Sequence, residues 1–481
     1  MIGAGSSGIA VAKALHEHGV PFDCLEKSDQ VGGNWVFANP NGMSAAYRGL
    51  FINTSRERMA YSDFPMPRSF PDFPHHTHIR AYFNDYVDHF GFGDRIAFDT
   101  GVARAERETG GGWRITCEDG QVRRYDALVV ANGHHWNPRW PEPAFPGAER
   151  FGGTQTHAHS YVDNETLRDR DVVVLGMGNS AMDIAVESSY VARNTYLAAR
   201  RGAWVVPKYL GGRPADRKHP VFSNPRIPFK LRQAIIGLAI RSSVGAMEGY
   251  GLPKPDHRFG EAHPTVSGRI LDRIVHGTVT PKPNISELTE DGVRFVDASE
   301  VHADHVIYCT GYKITFPFFD EGLISAPENH IELFRRVFHP ELPDVFFAGL
   351  LQPLGAIMPL AEAQGQWIAE HLRGRYHLPE PQALRRDIRR DQSAMRRRYV
   401  SSKRHTIQVD FDDYLHALAR ERRAGAQRAQ AAGGTLPVPA RVPGPAGVPR
   451  PAGVAGPAGG AAGSETAGGR KSGAEAQQRP V

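Results

Sequence analysis

Two glycine-rich loops of the kind that cradles a phosphate stand in this chain, and they differ in the charge that follows them. The first opens the sequence as Met1-Ile2-Gly3-Ala4-Gly5-Ser6-Ser7-Gly8. It reads G-x-G-x-x-G and runs into a helix with Ile9, Ala12 and Leu15 near helical spacing. The extended segment Phe22-Asp23-Cys24-Leu25 then ends in Glu26. In a dinucleotide fold Gly3 allows the tight turn, Gly5 lets the backbone approach a pyrophosphate, and Gly8 lets the helix pack on the strand. The helix N-terminus turns its positive end to the phosphate. Glu26 then accepts hydrogen bonds from a ribose. The second loop, Gly176-Met177-Gly178-Asn179-Ser180-Ala181, reads G-x-G-x-x-A. The strand after it ends in Arg200-Arg201, where an NAD site carries an acid. Two guanidiniums suit a 2′-phosphate, hence NADPH. An acid at one site and arginines at the other imply FAD plus NADPH, with hydride passing from the second to the first.

These loops need strands before them and helices after them. Asp171-Val172-Val173-Val174-Leu175 is an apolar run fit for a buried parallel strand. A helix with Met182, Ile184, Ala185 and Val191 follows, then a strand at Thr195–Ala199. The first loop is less well supplied. Its strand needs about 5–6 residues before Gly3, and only Met1 and Ile2 stand there. The sequence thus leaves two expectations, a start upstream of Met1 or a missing central strand, and favours the first.

The 481 residues suffice for about two to four domains. No stretch approaches the ~18–20 apolar residues of a membrane span, and nothing at the N-terminus resembles a secretory signal. Cys24, Cys117 and Cys309 are too far apart for a disulfide scaffold, a redox pair or a local zinc site. A reducing cytoplasm is expected. The histidines at 75, 76, 78, 134 and 135 lack ligand spacing, so no metal is expected. The net charge of +5 belongs to the C-terminal end, where residues 384–428 hold 13 Lys/Arg against 6 Asp/Glu. A solvated basic helix is the reading there, and no nucleic-acid partner is expected. Residues 431–481 hold 12 Gly, 12 Ala, 8 Pro and no aromatics, a composition too poor in apolar area to order itself. The folded part should end near Ala424. The stretch Ile227–Ile240 reads as an ordinary core helix, with a substrate entrance or a membrane surface as alternatives.

Between the loops, Phe151-Gly152-Gly153-Thr154-Gln155-Thr156-His157-Ala158-His159-Ser160-Tyr161 fits F-x-G-x-x-x-H-x-x-x-Y. This resembles the fingerprint of the flavin-containing monooxygenases, the dimethylaniline N-oxygenase type. Val162 departs from the family's usual Lys or Arg. The related type I Baeyer–Villiger enzymes carry Trp where Tyr161 stands, which argues for heteroatom oxygenation. Further blocks follow in family order: Gly32-Gly33-Asn34-Trp35, Asn53-Thr54-Ser55, Asp63–Pro67, His263–Val266, Cys309-Thr310-Gly311-Tyr312, Gly349–Pro359, Tyr399-Val400 and Arg404–Val409. The resemblance covers about residues 1–420.

It implies an α/β chain of two doubly wound Rossmann-like domains. The FAD domain would take 1–150 plus 308–424, the NADP domain 151–307, and a disordered tail 425–481. The substrate would be a small soft nucleophile, an amine or sulfide, oxygenated with O2 by a flavin C4a-hydroperoxide. The resemblance places the Asn53 amide and Thr54 at the flavin and nicotinamide, and Gly33, Asn34 and Trp35 in a second flavin-contacting turn. His157 becomes a positioning residue near the hinge, and Gln352 a neighbour of the flavin ring or ribityl chain. Thr310 and Gly311 form the turn back to the FAD domain. Lys208 either assists the 2′-phosphate or is a solvated lysine. A Baeyer–Villiger or N-hydroxylating enzyme is the near alternative, and a non-catalytic or truncated nucleotide binder the distant one. No integral membrane segment is implied, and a homodimer is the candidate assembly.

Overall fold

The computed structural model describes residues 1–217, 228–399 and 406–433. One compact unit spans Met1–Ala440, and Arg441–Val481 forms a separate unit that lies outside the described residues. The tail expected to be disordered lies outside them from 434 onward, as do Val400 and Arg404-His405 of the family blocks.

The first phosphate loop belongs to a parallel sheet centred on the chain's opening residues. Ile2 bridges Leu25 on one side and Val130 on the other, both in parallel. Cys24–Leu25 pairs with Ile96–Ala97, and Leu128–Val130 pairs with Val345–Phe347. The order across the sheet is therefore third, second, first, fourth, fifth, the order of a dinucleotide half-fold. Ile2 N–H donates to Val129 O at 2.9 Å and Gly3 N–H to Leu25 O at 2.9 Å. The central position is taken by Ile2, through isolated bridges to both neighbours. The helix Ser6–Glu17 covers one face, with every residue from Gly8 to Leu15 buried. It packs against the helix Met358–Leu372, where a Cβ on Gly365 would lie 2.9 Å from Val11 Cα.

The second loop belongs to a five-stranded, wholly parallel sheet. Its order is Thr280–Pro283, Asn194–Ala199, Asp171–Leu175, His305–Tyr308, Thr154–His157. Asp171–Leu175 is buried at all its positions, as its unbroken apolar run requires of a strand covered on both faces. Two antiparallel meanders accompany the sheets, one over Val102–Tyr125 and one over Ile285–His302.

Two expectations fail at the periphery. The last helix is Phe411–Ala431 and runs past Ala424. Gly425 faces the ring of Tyr376 so closely that a Cβ there would sit 1.9 Å from it, and Ala429 is buried. The alanine-rich end is thus folded because the ring of Tyr376 gives it something to pack on. The helix Phe229–Val244 is not a core helix. Gln233 and Ile240 are buried, whereas Leu231, Ile235 and Leu238 are exposed by 52%, 38% and 70%.

Candidate functional site

The first loop is built as its glycines require. Gly3 has φ +98°, a conformation side chains rarely adopt, and a Cβ there would lie 2.6 Å from Ala131 O. A Cβ on Gly8 would lie 2.0 Å from Gly3 O, so only glycine lets the helix meet the turn this closely. Gly5 caps the helix without a side-chain hydrogen bond, which leaves the first backbone N–H groups free for an anion. Gly32 pairs with Gly5 as an isolated parallel bridge, and Gly33-Asn34-Trp35 form a short 3-10 turn beside it. The Glu26 carboxylate accepts from Ala4 N–H at 2.6 Å and Ser28 N–H at 2.8 Å. Burial raises its pKa, and those backbone donors work against the rise.

The second loop repeats the design. Gly176 has φ +146°, with Cys309 O 2.8 Å from where a Cβ would be. Gly178 caps the helix Asn179–Ser188, again without a side-chain hydrogen bond. Asn179 Oδ1 accepts from Val266 N–H at 2.8 Å, and the Thr265 hydroxyl donates to Met177 O, so the loop is held from behind. Arg200 and Arg201 follow the strand and are exposed. Arg201 lies 3.6 Å from Asp256, whose other oxygen faces His257 Nδ1 at 2.8 Å. The His257 hydrogen bond is the main reason Asp256 sits below its ordinary pKa.

Both loops open on one cavity of about 1430 Å³. A pocket for one small ligand is commonly ~300–1,000 Å³, so this one has room for more than one group. It is lined by Gly3, Gly5, Glu26, Gly33, Asn34 and Trp35 from the first site. Gly176, Gly178, Asn179, Ser180, Arg200 and Arg201 line it from the second. Asn53, His157, Thr310, Gly311 and Gln352 line it as well. Gly8 and Thr54 do not: Gly8 lies behind the turn it packs on, and Thr54 is beside Asn53 but off the wall. Lys208 is not on the wall either. Its Nζ donates to Ile52 O at 3.0 Å, next to Asn53.

The wall residues have distinct settings. Thr310 donates its hydroxyl to Arg139 O, and Arg139 N–H donates to Gly311 O at 2.9 Å, closing the turn. Gln352 N–H donates to Ile407 O at 2.9 Å, and Gln352–Leu354 pairs with Gln408–Asp410. The late segment thereby brings Thr406 and Ile407 to the wall, which sequence reasoning did not assign. His157 Nδ1 accepts from His159 N–H at 3.0 Å. Burial, helped by the neighbouring His159, lowers its pKa to about 4, so it is neutral at physiological pH. Asp183 was also missed. It lines the wall, accepts from the Tyr47 hydroxyl at 2.5 Å, and burial raises its pKa to about 6. Its position in the first turns after the loop was the available signal. Tyr161 is buried off the wall, edge-on to Tyr47, with its hydroxyl 2.6 Å from Glu187 Oε2. It acts on the cavity only through its neighbours.

Among the described residues, Asp171, His302 and Asp304 bring ligand-type atoms together. Asp171 already accepts from Arg193 and Asn194, and Asp304 from Asp171 N–H.

Two uncapped helix N-termini, each behind a glycine turn that a Cβ would block, fit two dinucleotides. The buried Glu26 carboxylate suits a ribose at one, and the exposed arginine pair a phosphate at the other. This defines a two-cofactor flavin and nicotinamide oxidoreductase. The family model described as flavin-binding monooxygenase-like matches residues 1–427, and the chain belongs to that family. It is a monooxygenase that uses FAD and NADPH. Flavin-containing monooxygenase 5 of Homo sapiens is 36% identical over 87% of this chain and 81% of its own length. Dimethylaniline monooxygenase [N-oxide-forming] 2 of Macaca mulatta is 31% identical over 88% of this chain and 82% of its own. Among solved structures, S-allyl-L-cysteine S-oxygenase from Allium sativum gives a TM-score of 0.66 at 25% identity, covering 89% of this chain and 91% of its own. A cyclohexanone monooxygenase shares the fold, with a TM-score of 0.67 at 18% identity over 89% and 97%. No helix among the described residues is long and apolar enough to cross a membrane.

Proposed function

We propose that this enzyme uses NADPH and O2 to oxygenate a soft nucleophile, an amine nitrogen or a sulfide sulfur. The observation that carries the reading is the single cavity on which both loops, Asn53 and Gln352 open. The names of two relatives, an N-oxide-forming monooxygenase and an S-oxygenase, support the heteroatom. One oxygen atom of O2 joins the heteroatom and the other leaves as water, with NADPH supplying two electrons and the medium a proton. Bound FAD supplies the electron transfer between NADPH and O2.

The chain's residues bind and orient. The N–H groups at the start of the helix Ser6–Glu17 would hold the FAD pyrophosphate, and Glu26 the ribose. Asn179, Ser180 and the arginine pair would hold NADPH. The Asn53 amide both donates and accepts without titrating, which suits a centre where charge changes during turnover. His157 stays neutral and orients its surroundings rather than carrying protons. Leu50, Met59, Leu351 and Ile357 line the wall and limit water there. Free Cys24, Cys117 and Cys309 support a cytoplasmic setting.

Ketone insertion is the second reading. Tyr161, the residue that argued against it, lies off the cavity wall. The test is turnover of a thioether, a tertiary amine and a cyclic ketone, with NADPH consumption followed in parallel. Sulfoxide and N-oxide, one per NADPH, are expected. Lactone as the dominant product would overturn the heteroatom reading, and peroxide alone would overturn monooxygenation of these substrates.

A further inference from the structure

The residues that flank Asn53 are tied down from two sides. On the flavin side, Ile52 N–H donates to Pro74 O at 3.0 Å and Arg56 N–H to Asp72 O at 2.8 Å. On the nicotinamide side, the segment after Arg200-Arg201 forms a small hairpin, Tyr209–Leu210 against Arg213–Pro214. The residues at its two ends reach across the cleft. Lys208 Nζ donates to Ile52 O at 3.0 Å, just before Asn53. Asp216 Oδ2 accepts from Ser55 N–H at 2.7 Å, just after it. Between them the Tyr209 hydroxyl donates to Asp72. The Lys208 ammonium also lies over the rings of Phe73 and Phe51, 5.0 and 5.9 Å from their centroids.

We propose that Lys208 and Asp216 are positioning residues that clamp the Asn53 loop from the nicotinamide side. The proposal rests on Asn53 being the amide at the reaction centre. Ser55 is buried, so its N–H has no water to replace the Asp216 carboxylate. A carboxylate accepting from a backbone N–H is roughly twice as strong as a neutral bond. The hairpin follows the arginine pair in sequence, after the short strand Val205–Val206 that pairs with Thr265–Val266, so the segment expected to grip the coenzyme phosphate leads on to the one that ties down the loop carrying Asn53. Register between nicotinamide and amide is set by one rigid connection. Without the clamp, the amide is free to shift on its loop while the coenzyme site stays whole. A displacement of about 1 Å costs a positioned group on the order of a hundredfold. Electrons from NADPH then reduce O2 to hydrogen peroxide instead of delivering one oxygen atom to the substrate.

The test compares K208M and D216A with the conservative variants K208R and D216N, and with N53A as a separate arm. The first readout is amide hydrogen exchange in the FAD-loaded protein. Exchange at Ser55 is expected to quicken about tenfold in D216A, and less in D216N, whose amide oxygen still accepts. The second is product formed per NADPH, expected to fall about tenfold in K208M and D216A and to recover in K208R. Anaerobic flavin reduction by NADPH and the preference for NADPH over NADH are expected to stay within about twofold. A merely structural loss would lower flavin content or melting temperature without this split. Wild-type exchange and coupling in both K208M and D216A, with N53A uncoupled, would overturn the clamp and leave the Asn53 reading standing. Full coupling in N53A would remove that reading and the clamp with it. A selective loss of NADPH affinity in K208M would return Lys208 to the phosphate and overturn the proposal.

Discussion

Replacing Gly8 by Ala adds one methyl group at the tightest point of the first loop. The new Cβ would lie 2.0 Å from Gly3 O and 2.9 Å from Gly3 C. A carbon and a carbonyl oxygen normally rest about 3.3 Å apart, so the two backbones must separate by roughly 1.3 Å. The helix Ser6–Glu17 has little room to retreat, because Gly365 already brings the helix Met358–Leu372 against Val11. Overpacking of this kind costs about 1–3 kcal/mol. Alanine in a helix otherwise gains up to about 1 kcal/mol over glycine, so even the sign of the net change is informative. We expect a net loss, read as a fall in melting temperature of about 1 °C per kcal/mol for a folded unit of this size. The larger effect is expected on FAD. Moving the turn by this much removes at least one backbone N–H bond to a charged phosphate, worth about 1.5–3 kcal/mol. FAD binding should weaken by about 10- to 100-fold. Titration of FAD into deflavinated protein measures this, with NADP⁺ binding as the internal reference. Gly237→Ala is the control, because it lies in a helix with its nearest neighbour at an ordinary 3.7 Å. G237A should hold or raise the melting temperature. If G8A binds FAD within about twofold of the parent and melts alike, the helix has slack and the closeness of the turn does not hold the site together.

The double variant Arg200→Ala, Arg201→Ala should raise KM for NADPH by about a hundredfold, two charged hydrogen bonds' worth, and leave NADH nearly unchanged. Equal loss for both coenzymes would remove the arginines from the phosphate. Tyr161→Phe should leave the product class unaltered, because Tyr161 is off the cavity wall. It should cost about 1–3 kcal/mol of stability, because it leaves the Glu187 carboxylate without its hydroxyl donor; a switch from sulfoxide to lactone would contradict this. His371 is buried, and burial lowers its pKa to about 4, against about 6.5 in an unfolded chain. Between those values the unfolded chain binds more protons, so its share of stability is present above pH 6.5 and lost as pH falls toward 4. Denaturation at pH 7 and 4.5 should show roughly 2 kcal/mol less loss in His371→Asn than in the parent; equal losses would refute it.

The two loops could be read from sequence because their chemistry is local. A turn at φ +98° or +146° with a carbonyl within 3 Å leaves no room for a side chain. Glycine at Gly3 and Gly176 is therefore a direct record of backbone geometry. The charge that follows each strand is equally local, since Glu26 and Arg200-Arg201 sit where the chain leaves the sheet. Composition served less well. Exposed Leu231, Ile235 and Leu238 look like core in a one-dimensional reading, and the alanines beyond Ala424 look like tail. Only the Tyr376 ring shows that Gly425 is packed.

Relations across the cleft left no mark of their own. Lys208 stands a few residues after the arginine pair, and proximity in sequence suggests a shared phosphate. The hairpin that follows carries its contacts the other way, onto Ile52 and Ser55. Tyr47 with Asp183 is the same kind of pair, far apart in the chain and joined by one hydrogen bond. A glycine turn is fixed by its own torsions, whereas each of these pairs is fixed by two surfaces that meet only after both halves have folded. The split also has a functional sense. Cofactor binding needs each loop to be right by itself, so its determinants are contiguous. Coupling NADPH oxidation to oxygen transfer needs the halves to be right relative to each other. Its determinants are single long-range contacts, and substitutions there should disturb the fate of the electrons before they disturb the binding of either cofactor.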